Sequence, residues 1–502
     1  MTDLSTYTTD LIKSFEFFKP ETTLTATIIL TIIFDLIFKK SKHISGYVAI
    51  IGIVIAGIFL HQQTGVEYKA FANLLVIDDF GVFMKYIILL SSLIIIIFTF
   101  YSKELHPGKP RLGEYFTLMM GMTLGMFLLV GSANLIMIYL SIEIMSISSY
   151  VLAGYTKEIK RASEASLKYV IFGAASTGIM LYGISILFGL TGSLNLFNIN
   201  QYIASGNVDD MPLFVSSLMI VAGFGYKISA VPFHFWTPDV YEGAPVTITA
   251  YLSVASKAAG FAVLLRFFKT GLVDPSSGTL ETWNLIGNID WRYVLIVISI
   301  LTMTLGNLVA VWQNNMKRLL AYSSIAHAGY MLMAVAVLND NGATAVLIYF
   351  FFYMLMNLGA FFIVQLIANK LDTEDIDDYA GLGFRSPVLG VCLTIFLISL
   401  TGLPPTAGFI GKLYVFTSVI NAGFVWLAVI GVVNSVISLY YYIKVVRNMY
   451  LRQNEHFQSK LTYSPTEILI VLMLAIPTLF FGVYFTPIVE WANLSVNILV
   501  NK

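Results

Sequence analysis

The chain has 502 residues, of which 57% are Ala, Val, Ile, Leu, Met, Phe, Trp, Tyr or Cys and only 12% are charged, with 29 basic residues against 29 acidic ones. Soluble domains carry about 25% charge, so this composition excludes a solvated disordered chain, and the zero balance excludes a phosphate-neutralising nucleic-acid binder. One cysteine, Cys392, cannot form an internal disulfide or hold an iron–sulfur cluster, which takes about four thiolates.

A helix needs about 20 apolar residues to cross about 30 Å of hydrocarbon. Apolar runs between polar breaks predict fourteen spans, at 22–38, 44–60, 80–101, 114–132, 134–154, 166–190, 213–236, 244–268, 291–312, 319–338, 342–369, 387–422, 424–443 and 465–486. The first follows Asp3, Asp10, Glu16 and Glu21 and lacks a small-residue cleavage site, so it reads as a retained span and not a signal peptide. The longest connections, 191–212, 269–290, 370–386 and 444–464, are too short for a cofactor domain, and neither GxGxxG nor a Walker motif occurs. The expected fold is an all-α polytopic membrane protein in a lipid bilayer, with no redox centre of its own.

Basic residues in connections orient such a chain, because they stay on the cytoplasmic side. Connections after odd-numbered spans carry Lys39, Lys40, Lys42, Lys103, Lys109, Arg111, Lys157, Lys160, Arg161, Lys317, Arg318, Lys370, Arg385, Lys444, Arg447, Arg452 and Lys460, seventeen in all. The other connections and the ends carry six: Lys13, Lys19, Lys69, Lys269, Arg292 and Lys502. Both termini are therefore predicted on the outer side, the periplasm or its equivalent.

Six cations fall inside spans. Lys85, Lys168 and Arg266 sit near span ends, where their stems are expected to reach outward to water. Lys227, Lys257 and Lys412 lie too deep for that, as does Glu143 in span 5. A charge at the bilayer centre costs roughly 2.5–3.5 kcal/mol on insertion scales and marks a pathway or a pair. A static ion pair would explain one lysine beside one acid, but three lysines to one carboxylate favour a proton relay. Burial disfavours the charged form of either group and so brings amine and carboxyl proton affinities together.

Two spans are broken. In span 7, Lys227 is followed by Pro232 and Pro238. Span 12 is 36 residues long, about 54 Å as a straight helix, and contains Gly402, Leu403, Pro404 and Pro405 ahead of Lys412. Irregular backbone at membrane depth is tolerated only where protein or a hydrated cavity satisfies it. If spans 4–8 and 9–13 form two units, the broken span is fourth in each, and five-span units must be inverted relative to each other. The expected organisation is a three-span segment (1–112), a first half-channel (113–270), a second inverted one (288–450) and a C-terminal span (451–502). Span 5 with Glu143 then matches span 10 with His327. The likeness of KRASEASLKYV (160–170) to KRLLAYSSIAH (317–327) does not fit this correspondence and reads as shared connection chemistry.

The histidines, His43, His61, His106, His234, His327 and His456, form no metal-binding spacing. His327, inside span 10, reads as a buried hydrogen-bonded ring or as a relay member titrating near neutral pH; His234, just past Pro232, reads as a structural cap.

The segments GYKISAVPFHFWTPDVYEGAP (225–245), TAYLSVASKAAGFAVLL (249–265), NMKRLLAYSSIAHAGYML (315–332) and LTGLPPTAGFIGKLYVF (400–416) closely resemble the subunit N family of bacterial respiratory complex I, whose relatives include the mitochondrial and plastid second subunits. The DVYEGAP stretch sets it apart from the antiporter-like subunits L and M, and a long lateral helix like that of subunit L is not expected. One departure is Thr247, where the family usually has proline. The resemblance implies a proton-translocating subunit of NADH-quinone oxidoreductase, with Glu143, Lys227, Lys257 and Lys412 as relay groups and His327 bridging the halves. It also implies that NADH, FMN, iron–sulfur clusters and the quinone are handled by other subunits, and that the neighbours are subunits M, K, J and A. A cation/proton antiporter subunit, a membrane hydrogenase subunit and a structural spacer are the competing readings.

Overall fold

A computed structural model describes residues 4–38, 41, 43–105, 112–206, 208–274, 283–287, 290–452 and 460–498. Asp3, Lys39, Lys40, Lys42, His106, Lys109, Arg111, His456 and Lys502, and the unit boundary at 288, lie outside the described residues.

The chain opens with α1 (Leu4–Phe17), α2 (Lys19–Ile37) and α3 (Ile44–His61). A hairpin that the sequence reading did not anticipate follows, β1 (Tyr68–Ala70) against β2 (Leu75–Ile77), antiparallel with Lys69 opposite Val76. Next come α4 (Asp79–Phe100), α5 (Gly113–Gly131), α6 (Leu135–Ala153), α7 (Lys160–Thr191), the short α8 (Leu196–Ala204) and α9 (Asp210–Ile228). Beyond a break lie α10 (Trp236–Gly243), α11 (Val246–Tyr251) and α12 (Lys257–Arg266), the last two joined through a π-helical turn at Leu252–Ser256. The second half contains α13 (Trp291–Val311), α14 (Met316–Val335), α15 (Asp340–Leu371), the four-residue α16 (Leu382–Arg385), α17 (Pro387–Thr401), α18 (Ala407–Asn421), α19 (Val425–Leu451), α20 (Pro465–Val483) and α21 (Thr486–Ser495).

Each predicted span falls on helix. Among the described residues, twelve helices are long and apolar enough to cross a membrane. The other two predicted spans differ for identifiable reasons. The helix α14 carries Lys317, Arg318 and His327, which dilute its apolar character, and the segment 387–422 is divided into α17 and α18. Asn and Asp side chains start many of the helices by accepting bonds from free backbone amides: Asp78 from Gly81 N (2.8 Å), Asn315 from Arg318 N (3.1 Å) and Asn339 from Gly342 N (2.7 Å).

The stretch Val246–Leu272 and the helix α15 form the buried centre, whereas α2 and α20 lie at the periphery. Small residues let helices approach closely in the absence of a hydrophobic drive between them. At the α13–α14 crossing, a Cβ on Gly329 would collide with the Met303 backbone nitrogen, and one on Gly306 would stand 2.6 Å from that of Ala326.

The connections sort into two groups. Those after odd-numbered predicted spans touch one another: Lys103 N donates to Asn369 Oδ1 (3.0 Å), Met316 N to the Glu374 carbonyl (2.8 Å), and Lys444 Nζ to the Gln313 carbonyl (3.0 Å). Those after even-numbered spans do likewise: Ala133 N donates to the Leu74 carbonyl (3.1 Å), Asn200 Nδ2 to the Val273 carbonyl (2.7 Å), and Trp283 N to the Leu338 carbonyl (3.0 Å). The first group, rich in Lys and Arg, is called the basic face below.

Two of the three cations expected to reach outward do not. Arg266 and Asp78 are both fully buried, joined by two bonds of 2.7 and 2.9 Å, and Arg266 Nε also donates to the Val130 carbonyl. Lys85 is buried 2.5 Å from Glu21. Both carboxylates lie outside the predicted spans, so the cations stay inside with a partner instead of extending to water. Lys168 does reach partners near the surface, Asp239 (2.6 Å) and Glu164 (2.7 Å).

Candidate functional site: a buried line of lysines and tyrosines

The helix α9 ends because Pro232 has no N–H to offer the Ile228 carbonyl, and Ser229 turns into the left-handed region at φ 62°. Lys227 therefore sits in the last turn before the break. It is buried, its Nζ makes no hydrogen bond among the described residues, and it lies 5.5–5.8 Å from the ring centres of Tyr150, Tyr169 and Tyr226. Those distances are within cation–π range. The cage is itself braced: Tyr226 donates to the Tyr169 carbonyl (2.9 Å), Trp236 Nε1 donates to the Tyr226 carbonyl (3.1 Å), and Trp236 stacks on Tyr169 at 4.4 Å.

Glu143 is not in contact with Lys227; no ion pair within 4 Å joins them, and the two interact electrostatically across the space between α6 and α9. Glu143 is only half-buried, on the face of α6 that also exposes Leu140, Ile144 and Ile147.

Lys257 is fully buried directly after the π-helical turn, a feature often found where a helix re-aims a functional side chain. Its Nζ donates to the Ser324 carbonyl of α14 at 2.7 Å. One turn further along α12, Gly260 packs against the stem of Lys227, where an added Cβ would meet the Lys227 Cβ at 3.4 Å.

His327 follows Ser324 by three residues on α14, and Tyr330 follows by three more, so the three lie along one helix face. Nδ1 of His327 is 2.6 Å from the Tyr349 hydroxyl and Nε2 is 3.3 Å from that of Tyr442. Tyr442 in turn bonds Ser323. Beyond Tyr330 stands Lys412, 4.5 Å from that ring's centre. Lys412 donates to the Thr401 carbonyl and to Ser435 Oγ, both at 2.7 Å. Thr401 needs such donors, because the residue four positions on is Pro405.

The structure thus buries Lys227, Lys257, His327 and Lys412 in succession across neighbouring helices and leaves Glu143 outside the set, out of contact with Lys227. Among the described residues, none of the three lysines has a carboxylate within 4 Å. Sequence reasoning missed the tyrosines that line the route. Tyr349 and Tyr353, spaced four apart in span 11, were a visible signal; Tyr150, Tyr169 and Tyr226 come from three helices and gave none. Thr247 bonds the Tyr115 hydroxyl (2.8 Å) in the first turn of α11, an interaction that a proline there could not make. His234 is buried just past the break, packed against Phe235. Among the described residues, no three His, Cys, Asp or Glu side chains come together as a metal site.

Residues 132–438 match the family described as "NADH:quinone oxidoreductase/Mrp antiporter, TM". The chain is 48% identical over 488 residues to NADH-quinone oxidoreductase subunit N 2 of Chloroherpeton thalassium, covering 96% of this chain and 94% of that one. Its structure is similar to a chain of respiratory complex I from Thermus thermophilus, with TM-score 0.77, 27% identity, and 94% and 98% of the two chains covered. A chain of the Mrp complex from Dietzia sp. shares the fold with TM-score 0.78 at 18% identity, covering 96% and 97%. With its buried lysines inside the matched segment and its relatives aligned nearly end to end, the chain belongs to the NADH:quinone oxidoreductase/Mrp antiporter transmembrane family.

Proposed function

We propose that this chain is the antiporter-like subunit N of an NADH-quinone oxidoreductase and carries protons across the membrane. The observation that supports this most is the buried series from Lys227 through Lys257 and His327 to Lys412, in which no lysine has a carboxylate partner within 4 Å among the described residues. A static structural charge would be paired, as Arg266 and Lys85 are. An unpaired buried amine bordered by hydroxyls and aromatic rings suits a group that takes up and releases protons. Glu143 acts on Lys227 through space, so a change in its surroundings alters the ease of holding a proton there. One unit of proton affinity corresponds to about 1.4 kcal/mol, and moving one charge through 100 mV requires about 2.3 kcal/mol. A modest electrostatic change at Lys227 is therefore on the scale required.

The proton passes from Lys227 to Lys257, on through His327 and its tyrosines, and reaches Lys412. The driving redox chemistry belongs to partner subunits that handle NADH, FMN, iron–sulfur clusters and the quinone. Subunits M, K, J and A are the neighbours, the basic face is cytoplasmic, and both termini are periplasmic in a bacterial inner membrane. Segments 113–270 and 288–450 act as two inverted half-channels, between a leading segment 1–112 and a closing span 451–502. In support, α7 and α15, third in each unit, are both 32 residues long, and both breaks fall where a proline removes the N–H that a carbonyl four residues earlier would use.

The test replaces Lys227 or Glu143 with Ala in the assembled complex and follows proton pumping together with quinone reduction. A relay role predicts loss of pumping; pumping and reductase activity both unchanged in both variants would sink it.

A further inference from the structure

Between α9 and α13 the packing is open. An apolar groove of about 570 Å³ separates Ala222, Gly225 and Pro232, in and just past α9, from Val294, Val297 and Ile298 of α13. Val297 is exposed, so the groove opens outward. Lipid chains that fill such a groove are as apolar as its walls and fix nothing in place. Beside it stands a buried hydrogen bond that the relay above does not use: Val231 N donates to Thr302 Oγ1 of α13 at 2.9 Å.

That amide has no acceptor in its own helix. The end of α9 follows the Schellman pattern around Ser229, with Ser229 N bonding the Tyr226 carbonyl (3.2 Å) and Ala230 N the Gly225 carbonyl (2.8 Å). Val231 comes next, and Pro232 after it has no N–H. In a continuous helix Val231 N would bond the carbonyl of Lys227, four residues earlier; Thr302 takes that donor instead. The Thr302 hydroxyl gives its own proton to the Ile298 carbonyl at 2.6 Å, which leaves oxygen lone pairs for Val231. Thr302 is fully buried, and a buried amide without an acceptor is costly.

On its other side α13 is keyed to α14. Ser299 Oγ donates to the Gly329 carbonyl (2.8 Å), Asn307 Nδ2 donates to the Tyr330 hydroxyl (3.2 Å), and Gly306 packs on Ala326, so these contacts bracket His327. The same helix supplies the Ser324 carbonyl that holds Lys257. Thr302 therefore joins the break after Lys227 to the helix pair that carries His327 and holds Lys257.

We propose that Thr302 is a positioning residue for Lys227. By accepting from Val231 N, it keeps the helix broken at that point and sets the last turn of α9 in register with α13 and α14. Without the hydroxyl, the amide turns back toward the Lys227 carbonyl or stays unbonded, and either outcome moves the turn that carries Lys227. The hydroxyl positions and does not pass the proton, since its own hydrogen is committed to Ile298. This inference rests on the proton-translocation reading.

The experiment compares Thr302→Val, Thr302→Ser, Lys227→Ala and the double variant Thr302→Val with Lys227→Ala. Membrane vesicles holding the assembled complex are used, and NADH-driven proton uptake per complex is read. Thr302→Val keeps the shape and removes the acceptor, and is expected to slow pumping about threefold or more, the scale of one lost hydrogen bond. Thr302→Ser keeps the hydroxyl and is expected to retain about two-thirds of the rate or more. In the Lys227→Ala background, Thr302→Val is expected to change the remaining rate by less than about 1.5-fold, because two changes that act through one group do not multiply. Thr302→Ala, which also lacks the hydroxyl, decides by the same comparisons if Thr302→Val fails to assemble. Normal pumping in Thr302→Val alongside loss in Lys227→Ala overturns the inference alone. So does a defect in Thr302→Ser as deep as that of Thr302→Val, or a full further loss in the Lys227→Ala background. Normal pumping in Lys227→Ala overturns the translocation reading beneath it.

Discussion

The two broken helices hold their lysines by different physics. Before the first break, Lys227 has three tyrosine faces at 5.5–5.8 Å and no hydrogen bond. After the second, Lys412 donates to Ser435 and to the Thr401 carbonyl that Pro405 leaves without a helical partner. Cation–π contacts are worth about 0.5–2 kcal/mol and are weakly directional, whereas hydrogen bonds to a charged group are worth about 1.5–3 kcal/mol and fix position. In the proposed relay the first lysine is the one that a distant charge can switch. The second is anchored to the backbone of the break itself, so its proton leaves only if that anchorage loosens.

The largest effect that would break this contrast comes from Lys227→Ala and Lys412→Ala. Both are expected to lower proton pumping by at least about tenfold, a change of about 1.4 kcal/mol or more in the barrier. They should part company in stability. Lys412→Ala leaves the Thr401 carbonyl with only Ser435 and costs about 1–3 kcal/mol, whereas in Lys227→Ala the lost ring contacts and buried stem are offset by removal of an unbonded buried charge, so its unfolding midpoint falls less. Equal midpoint losses in the purified complexes would erase the distinction.

Gly402→Ala comes next. Gly402 has φ 86°, and an added Cβ would stand 2.6 Å from the Lys412 Cδ. The left-handed backbone alone costs about 1 kcal/mol for a residue with a Cβ, and the clash moves Lys412 off its two acceptors. Pumping should fall severalfold although the lysine is still present, with the reductase rate falling alongside it; full pumping would mean that the anchorage is unimportant.

Glu143→Gln probes the first break from outside. Glu143 does not touch Lys227, so its loss shifts an electrostatic balance without removing a relay group. The expected slowing is about threefold to tenfold, smaller than for Lys227→Ala, with no loss at the second break. A pumping defect as deep as that of Lys227→Ala would instead place Glu143 on the proton path.

Much of this arrangement is legible in the sequence because a lysine or a proline within an apolar run has few bland explanations. Lys227, Lys257 and Lys412 and both breaks could be read that way. Arg266 and Lys85 could not, because their depth alone does not reveal partners 188 and 64 residues away, Asp78 and Glu21. The aromatic cage was invisible for a related reason: Tyr150, Tyr169 and Tyr226 meet only once α6, α7 and α9 are packed, and tyrosine is common in this chain.

The smallest effect concerns the segment just beyond the first break. There α10 is tied to the basic face through Asp239, which bonds Lys168 at 2.6 Å and Arg318 at 2.8 Å. Lys168 is more than a third exposed and also pairs with Glu164, so water and salt screen both contacts. Exposed pairs of this kind are worth about 0–1 kcal/mol. Lys168→Ala should therefore shift the unfolding midpoint little and leave pumping within about twofold of normal, since Arg318 still holds Asp239. Arg318→Ala added to it leaves α10 only the contact of the exposed Arg161 with Glu242 at 3.5 Å among its described ion pairs, and the pair should lower pumping more than the two single changes multiplied together. If the double variant pumps as the product of the singles, α10 does not need the Asp239 tether, and Trp236 and the tyrosine cage hold the first break without it.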